Sequence, residues 1–197
     1  KETQGIRKSV WVPGESQISN PHHVDALVVA CRDLNVVMKE QIGAVRIEYS
    51  NHRLDRVAAA GESFVGENYL FAAGPWTESL VAPTGVSLPM QPVRGQIALY
   101  KTLPSAGAGC WPIINEGSRY LVPRRDGHVL AGATIEEAGF DCRTTDDGIR
   151  ELRAWAESIT DELNASSFLK SWAGLRPGTY DGFPYLGRLG DLENVFV

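Results

Sequence analysis

The sequence predicts an α+β fold, a mostly antiparallel sheet covered on one face, with two main helices. Three observations carry this prediction. Apolar and polar residues alternate through several short runs, as they do in strands. Asp126-Gly127, a typical hairpin turn, separates two such runs. Two longer segments carry apolar residues at helical spacing. With 197 residues, 43% of them hydrophobic, the chain can bury a sizeable core.

Composition and charge argue against several classes of partner. The net charge is −5 and no run of lysine and arginine occurs, so no nucleic acid partner is expected. No apolar stretch approaches the roughly 20 residues that a membrane span requires, so no membrane partner is expected either. Three widely spaced cysteines without a CxxC pair are typical of reduced thiols in a cytoplasmic protein. The oligomeric state stays open, and a homo-oligomer is one option.

Two segments carry apolar residues at the spacing of an amphipathic helix. In the first, Asn20 is a good N-cap and Pro21 a good first helical residue, so a helix is expected over residues 21–34. In the second, Thr144 or Thr145 is the expected N-cap. The expected buried face of the second helix comprises Ile149, Leu152, Ala156, Ile159 and Leu163. Its expected solvated side comprises Glu151 to Trp155, Asp161 and Glu162.

Short apolar runs between turn signals predict the strands. Alternation over residues 45–60 indicates successive antiparallel hairpins, and the continuous apolar run 69–73 is typical of a strand buried on both faces. Residues 81–92 and the glycine- and alanine-rich residues 104–109 are predicted to be loops. Further strands are expected at residues 93–100, 120–123, 128–133 and from residue 195.

Near the end of the chain, Arg176 is flanked by Gly174 on one side and by Pro177 and Gly178 on the other. Proline fixes φ and glycine permits positive φ, so the stretch is expected to be a turn that directs one long cationic side chain. The arginine fork matches a carboxylate through two parallel hydrogen bonds, which predicts a site for a small anionic substrate. The alternative is an exposed arginine in an ordinary turn, and the stretch by itself leaves both open.

Several familiar motifs are missing. No GxGxxG follows a first strand, and GxxxxGK[ST], GxSxG and HExxH do not occur. Hydrolase and kinase functions therefore have no support from spacing. No cluster of carboxylates or cysteines accompanies His22 and His23, so no metal site is expected.

Ordered blocks of residues extend over most of the chain. They are Tyr69 to Trp76, Pro92 to Gln96, Tyr120 to Arg124 with Gly127 and Gly132 to Thr134, and Trp172 to Thr179 with Asp181, Gly182, Pro184, Tyr185 and Gly187. Together the blocks resemble the FAD-dependent amino acid oxidases related to D-amino acid oxidase, and within them the glycine oxidases of thiamine biosynthesis. The last block is the most specific, whereas the Ala-Ala-Gly block is shared by many flavoproteins.

The resemblance implies an oxidase that uses FAD to take a hydride from the α-carbon of glycine or another small amino acid. The imine would hydrolyse to a 2-oxo acid and ammonia, and hydrogen peroxide would be released. The resemblance assigns the substrate carboxylate to Arg176, with Tyr120 assisting. It implies no catalytic side chain, because hydride can leave directly from the neutral amine while the flavin carries the chemistry.

The same resemblance implies cofactor contacts through the backbone. Ala44 and Val45 would touch the adenine, and Ala73 and Gly74 would lie beside the cofactor. The family's opening strand, GxGxxG turn and helix, which hold the pyrophosphate, have no counterpart in the sequence. The family's second substrate arginine would also lie outside the sequence. The chain is therefore expected to be a fragment that neither retains FAD nor turns over.

By analogy with the family, the chain divides into two discontinuous domains. Residues 1–20 and 86–170 would form the substrate-binding domain, and residues 21–85 and 171–197 an incomplete part of the FAD-binding α/β domain. Two alternatives remain at this point. One is a relative that oxidises sarcosine or another amine, and the other is a non-catalytic module that binds a small acid.

Overall fold

The computed structural model describes the chain over residues 8–102, 112–163 and 167–197. The chain forms two compact units, each with its own hydrophobic core. Unit 1 comprises Lys1–Gln17 and Pro92–Arg176, and unit 2 comprises Ile18–Gln91 and Pro177–Val197. The loop predicted at residues 104–109 lies outside the described residues.

The secondary structure mixes helices with mostly antiparallel strands, which confirms the predicted α+β class. The helices are α1 (Asn20–Asp33), α2 (Thr77–Val81) and α3 (Asp146–Ile159). The strands are β1 (Val45–Ser50), β2 (Arg53–Ala59), β3 (Glu62–Phe64), β4 (Tyr69–Leu70), β5 (Gln91–Lys101), β6 (Ile114–Glu116), β7 (Arg119–Pro123), β8 (His128–Gly132), β9 (Phe168–Gly178) and β10 (Val195–Phe196). Within the described stretches, no helix has both the length and the hydropathy needed to cross a membrane.

Unit 1 is built on a five-stranded sheet with the strand order β6-β7-β8-β5-β9. The pairs β6/β7, β7/β8 and β8/β5 are antiparallel, and Gly127, with φ +80°, lies in the predicted turn between β7 and β8. Helix α3 packs on one face of this sheet. The resulting core comprises Ala98, Tyr100, Leu121, Val129, Ala131, Leu152, Trp155, Ala156 and Leu163.

The buried face of α3 is wider than predicted. Leu152 and Ala156 are buried as expected, but Trp155, predicted on the solvated side, is only 8% exposed. Its position three residues after Leu152 puts it on the same helical face. The ring packs in the core while its indole N–H donates to the carboxylate of Glu116, so the polar group is satisfied. The helix ends at Ile159.

Unit 2 contains the three-stranded sheet β1-β2-β3 and a parallel pair formed by β4 and β10. The hairpins predicted over residues 45–60 are confirmed, because β1 pairs with β2 and β2 with β3, both antiparallel. Asn51 and His52 both have positive φ in the first turn, as a type I′ hairpin turn requires. The buried core of the unit comprises Leu54, Phe71, Val81, Leu88, Leu189, Leu192 and Val195.

Two segments are less buried than their apolar patterns indicate. Helix α1 forms, with Ser19 rather than Asn20 as its N-cap, but none of its residues is buried among the described residues. The run 69–73 forms only the short strand β4, in which Leu70 is exposed, and Phe71 beyond it is buried. Periodicity shows that a segment has an apolar face, but burial also requires a neighbouring element to cover that face.

The stretch around Arg176 is not the predicted turn, because it lies within the 11-residue strand β9. Strand β9 is at the edge of its sheet. An edge strand tolerates a proline whose missing N–H would face away from the neighbouring strand, so Pro177 does not end β9. The loop predicted at residues 81–92 contains a 3₁₀ turn at Ala82–Thr84. The loop ends at Gln91, where β5 begins.

Thr145 fixes the beginning of α3, and we predict that Thr145→Ala lowers the free energy of unfolding by about 1–2 kcal/mol. The hydroxyl accepts hydrogen bonds from the Gly148 backbone N–H (3.2 Å) and from the Gln96 side-chain amide (2.9 Å). Urea denaturation measures the loss. Thr145→Ser keeps the hydroxyl and should retain most of the stability. Thr144→Ala makes the same change at the preceding exposed residue, and an equal loss there would contradict the assignment of Thr145 as the cap.

Candidate functional site

The guanidinium of Arg176 lies flat against the backbone of β5. A Cβ atom on Gly95 would lie 2.5 Å from both terminal nitrogens of Arg176 and 2.6 Å from its Cζ. Arg176 Nη1 also donates a hydrogen bond to the backbone carbonyl of Thr134 (3.2 Å). Glycine at position 95 therefore creates the space in which the guanidinium lies, and Thr134 fixes one of its edges.

Tyr120 lies on the same sheet in a matching arrangement. It is the register partner of Gly132 on β8. A Cβ atom on Gly132 would lie 2.5 Å from the hydroxyl oxygen and from Cε2 of the Tyr120 ring. The half-buried ring therefore lies on the backbone of β8, and only glycine leaves room for it.

Arg176 and Tyr120 lie on one face of the five-stranded sheet. Leu121 and Ala131 are paired across β7 and β8 and both belong to the core beneath α3. Successive strand residues point to opposite faces, so the adjacent pair, Tyr120 and Gly132, points away from α3. Gly95 lies three residues before the core residue Ala98 on β5, which puts it on that second face as well.

This second face can bind an anion. The guanidinium of Arg176 is exposed, and among the residues that the structure describes no carboxylate is within ion-pair distance of it. A guanidinium carries five N–H donors, and only one is used by Thr134. The phenol of Tyr120 is a further possible donor. The arrangement provides donors for a planar, charged acceptor such as a carboxylate.

A second polar group of residues, which we call the Glu136 cluster, consists of Arg94, Gln96, Glu136 and Thr145. One carboxylate oxygen of Glu136 accepts from Nε (3.0 Å) and Nη2 (2.5 Å) of Arg94. The other accepts from the side-chain amide of Gln96 (2.6 Å). Gln96, which is fully buried, also accepts from the backbone N–H of Thr145 (2.8 Å). The cluster thus links β5, the segment after β8 and the N-terminus of α3.

Hydrogen bonding keeps the carboxyl of Glu136 ionised. Burial by itself would raise its pKa, but hydrogen bonds from Thr134, Gln96 and Arg94 outweigh burial, and the pKa of Glu136 lies below its usual value. Arg94, whose side chain is 9% exposed, supplies the opposite charge. The Arg94 end of the ion pair is therefore largely shielded from water, and Nη1 of Arg94 donates outside the cluster to the backbone carbonyl of Arg143 (3.1 Å).

The four predicted cofactor-binding residues lie in unit 2. Ala44 is exposed and immediately precedes β1, and Val45 is the first residue of that strand. Ala73 is half-buried and precedes a 3₁₀ turn that begins at Gly74. Gly74 has φ +57°, and a Cβ atom there would meet nothing within 4 Å. The predicted substrate residues Arg176 and Tyr120, by contrast, lie in unit 1.

The sequence alone did not assign roles to Gly95, Gly132, Thr134 or Glu136. The first three belong to the blocks that resemble the oxidase family. Their residue types do not indicate which side chain packs against the backbone at these positions. A glycine inside a predicted strand is the available signal, since it marks a close approach to the backbone. Thr134 acts through its carbonyl, which every residue possesses, so its identity carries no signal for this contact.

The chain belongs to the DAO family of FAD-dependent oxidoreductases, whose family model matches residues 1–197. Within that family it is similar to glycine oxidases. It is 33% identical over 198 residues to the glycine oxidase of Pseudomonas putida, a match that covers 98% of this chain and 52% of that protein. It is 34% identical to the glycine oxidase of Pseudomonas aeruginosa, with the same coverage. The chain therefore spans about half the length of these curated relatives.

Solved structures agree with this similarity. The crystal structure of glycine oxidase from Geobacillus kaustophilus matches with a TM-score of 0.84 and 27% identity, covering 94% of this chain and 49% of that one. Iminodiacetate oxidase from Chelativorans matches with a TM-score of 0.79 over 89% of this chain and 47% of that one. Its 24% identity supports the shared fold alone.

The backbone around Gly74 fits the close approach of a flat cofactor such as FAD. Open space surrounds the position that a Cβ atom would occupy at Gly74, and Ala73 beside it is small. Val45 begins an edge strand, so part of its sheet edge has no neighbouring strand within the described residues. These residues could hold parts of FAD through backbone contacts, while the sequence contains no GxGxxG turn for the pyrophosphate.

We predict that Gly132→Ala destabilises unit 1 by about 1–3 kcal/mol, because the new methyl group would overlap the rigid ring of Tyr120. Gly174→Ala is the matched control, since a Cβ atom at Gly174 would meet nothing within 4 Å. Thermal unfolding monitored by near-UV circular dichroism measures both variants. Equal stability of the two variants would contradict the described packing of Tyr120 on Gly132.

The lowered pKa of Glu136 predicts an acid-dependent loss of stability. A carboxyl whose pKa is lower in the folded state contributes its full stabilisation of the fold at pH values above its pKa in the unfolded chain, which is 4.5 here. This contribution is lost as the pH falls through the pKa of the folded state. The unfolding free energy of the wild type should therefore fall more steeply between about pH 6 and pH 3 than that of Glu136→Gln. Glu62→Gln breaks an exposed pair with Lys39 and should keep the wild-type slope. Parallel curves for wild type and Glu136→Gln would contradict the prediction.

Proposed function

We propose that the protein to which this chain belongs is an FAD-dependent oxidase of glycine or another small amino acid. The products would be the imine, which hydrolyses to a 2-oxo acid and ammonia, and hydrogen peroxide. Unit 1 would bind the substrate, and unit 2 would form part of the FAD-binding domain. The similarity to glycine oxidases supports the reaction class, and one observation in the structure supports the substrate class.

That observation is the guanidinium of Arg176, which lies flat on Gly95 and has no carboxylate partner among the described residues. In the proposed site it binds the substrate carboxylate with two parallel hydrogen bonds, and the hydroxyl of Tyr120 donates a third. A carboxylate held at two oxygens has a fixed plane, so the adjacent α-carbon has a fixed direction. The role of the two side chains is orientation, and neither has to exchange a proton with the substrate.

The chemistry that FAD supplies when bound is removal of a hydride from the α-carbon and transfer of two electrons to oxygen. The substrate amine has to be neutral for hydride to leave directly, so the cationic Arg176 beside it would favour loss of the ammonium proton. In this proposal the protein positions the substrate and favours its neutral amine, and the cofactor oxidises it.

Sarcosine and related secondary amines are a second candidate substrate class. The proposed contacts of Arg176 and Tyr120 are to the carboxylate, which glycine and sarcosine share. No contact assigned so far distinguishes a primary from a secondary amine, so the preference depends on residues outside these two. A non-catalytic module that binds small acids would share the same contacts but would release no peroxide.

We predict that Arg176→Ala raises the KM for glycine by about 10- to 100-fold, as expected for loss of hydrogen bonds to a charged group. Peroxide release by the FAD-loaded full-length protein, measured with glycine, sarcosine and D-alanine, tests this. Arg150→Ala is the control, because Arg150 pairs with Asp147 on the exposed side of α3.

An unchanged KM in Arg176→Ala would remove the arginine from the site while leaving the oxidase assignment intact. A full-length protein that contains no flavin and releases no peroxide would overturn the oxidase assignment itself. Faster turnover of sarcosine than of glycine would select the second substrate class.

A further inference from the structure

We propose that Thr134, held by Glu136 and Gln96, is a positioning residue that sets the direction of the Arg176 guanidinium. This inference rests on the proposed role of Arg176 as the carboxylate-binding residue. It assigns a function to the segment after β8, which contacts no substrate in the proposal above. Three successive contacts support it.

The first contact is the one between Thr134 and Arg176. The guanidinium of Arg176 is confined by the Gly95 backbone beneath it and by the Thr134 carbonyl, which accepts from Nη1 at 3.2 Å. The backbone of Gly95 prevents movement toward the sheet, but it does not fix rotation within the plane of the guanidinium. The Thr134 carbonyl supplies that second constraint, because a hydrogen bond is directional.

The second contact fastens Thr134 to β5. Its hydroxyl accepts from the backbone N–H of Gln96 (2.9 Å), and its own N–H donates to the Gln96 carbonyl (3.4 Å). Against the effect of burial, the Thr134 hydroxyl also helps to lower the pKa of the Glu136 carboxyl. Residue 134 is thus held on the backbone of β5 by two hydrogen bonds, one through its hydroxyl and one through its N–H.

The third contact fastens Glu136. Its backbone exchanges two hydrogen bonds with Arg94, N–H to carbonyl at 3.0 Å and the reverse at 2.8 Å. Its carboxylate accepts from Arg94 and Gln96 as described above. Residues 134 and 136 are therefore tied to β5 through main chain and side chain alike. Gly95 lies between Arg94 and Gln96. Three consecutive residues of β5 therefore support the surface under the guanidinium and the segment that binds its edge.

A purely structural role for this cluster is the competing explanation, since Gln96 also binds Thr145 at the beginning of α3. The two roles make different predictions. A structural role lowers stability and leaves substrate binding unaffected or affects it independently of Arg176. A positioning role acts on the carboxylate through Arg176, so its effect disappears when Arg176 is removed.

The test uses the FAD-loaded full-length protein and four enzymes: wild type, Thr134→Val, Arg176→Ala and the double variant. Valine has the shape of threonine without the hydroxyl. We expect Thr134→Val to lower kcat/KM for glycine about tenfold through KM, with kcat nearly unchanged, and to weaken binding of glycolate by a similar factor. In the Arg176→Ala background the same substitution should change kcat/KM less than twofold. Thr134→Ser retains the hydroxyl and should behave as wild type.

Each outcome is informative. If Arg176→Ala lowers kcat/KM but Thr134→Val does not, or if the two effects multiply, the positioning role is wrong and the proposed function stands. If Arg176→Ala has no effect, the proposed carboxylate site fails and the positioning role fails with it. Should Thr134→Val not fold, Glu136→Gln replaces it in the same cycle, with Glu62→Gln as control, and its effect on kcat/KM should likewise disappear in the Arg176→Ala background.

Discussion

The close approach of Arg176 to the backbone at Gly95 is the constraint on which the described site depends. A single methyl group at that position would overlap the guanidinium. The flexible arginine could then move away at a small cost in free energy, so the substitution would leave folding intact. The guanidinium, however, would point in a different direction. Gly132 has the same relation to Tyr120, whose ring is rigid. The absence of a side chain at two strand positions thus determines where the two proposed substrate-binding side chains lie.

The five-stranded sheet separates stability from the proposed chemistry by face. The core and α3 lie on one face of the sheet. Because strand residues alternate between faces, Arg176 and Tyr120 lie on the other face. The Glu136 cluster, together with Thr134, connects the two faces. Gln96 extends from β5 to the N-terminus of α3, and Thr134 extends to the guanidinium. Positions that stabilise the helix and positions that hold the site therefore meet at Gln96, whose side chain binds Thr145 and whose backbone binds Thr134.

Sequence reasoning predicted the fold class, the main hairpins and the cap of α3, because alternation, turn residues and capping are local signals. It placed Trp155 on the wrong side of its helix and took β9 for a turn. Both errors concern features that depend on the neighbouring element: the core that accepts a large ring, and the sheet edge that tolerates Pro177. The apolar face of α1 shows the same limit, since a pattern does not tell what covers it.

The residues of the proposed site divide in a similar way. Arg176 and Tyr120 could be selected from their chemistry together with the family resemblance. Gly95, Thr134 and Glu136 could not, because they act through absent atoms, a backbone carbonyl and a tertiary hydrogen-bond network. The assignments of Ala44, Val45, Ala73 and Gly74 to the cofactor remain predictions, since backbone contacts can be made by many residue types.

We propose that the face of the unit 1 sheet opposite α3 binds the carboxylate of the substrate. A crystal structure of the FAD-loaded full-length protein with glycolate measures this most directly, because glycolate carries the carboxylate of glycine without the amine. We predict that both carboxylate oxygens lie within hydrogen-bond distance of the Arg176 guanidinium, about 3 Å, and that the Thr134 carbonyl still accepts from Nη1. A glycolate bound elsewhere, with Arg176 turned away from Gly95, would contradict it.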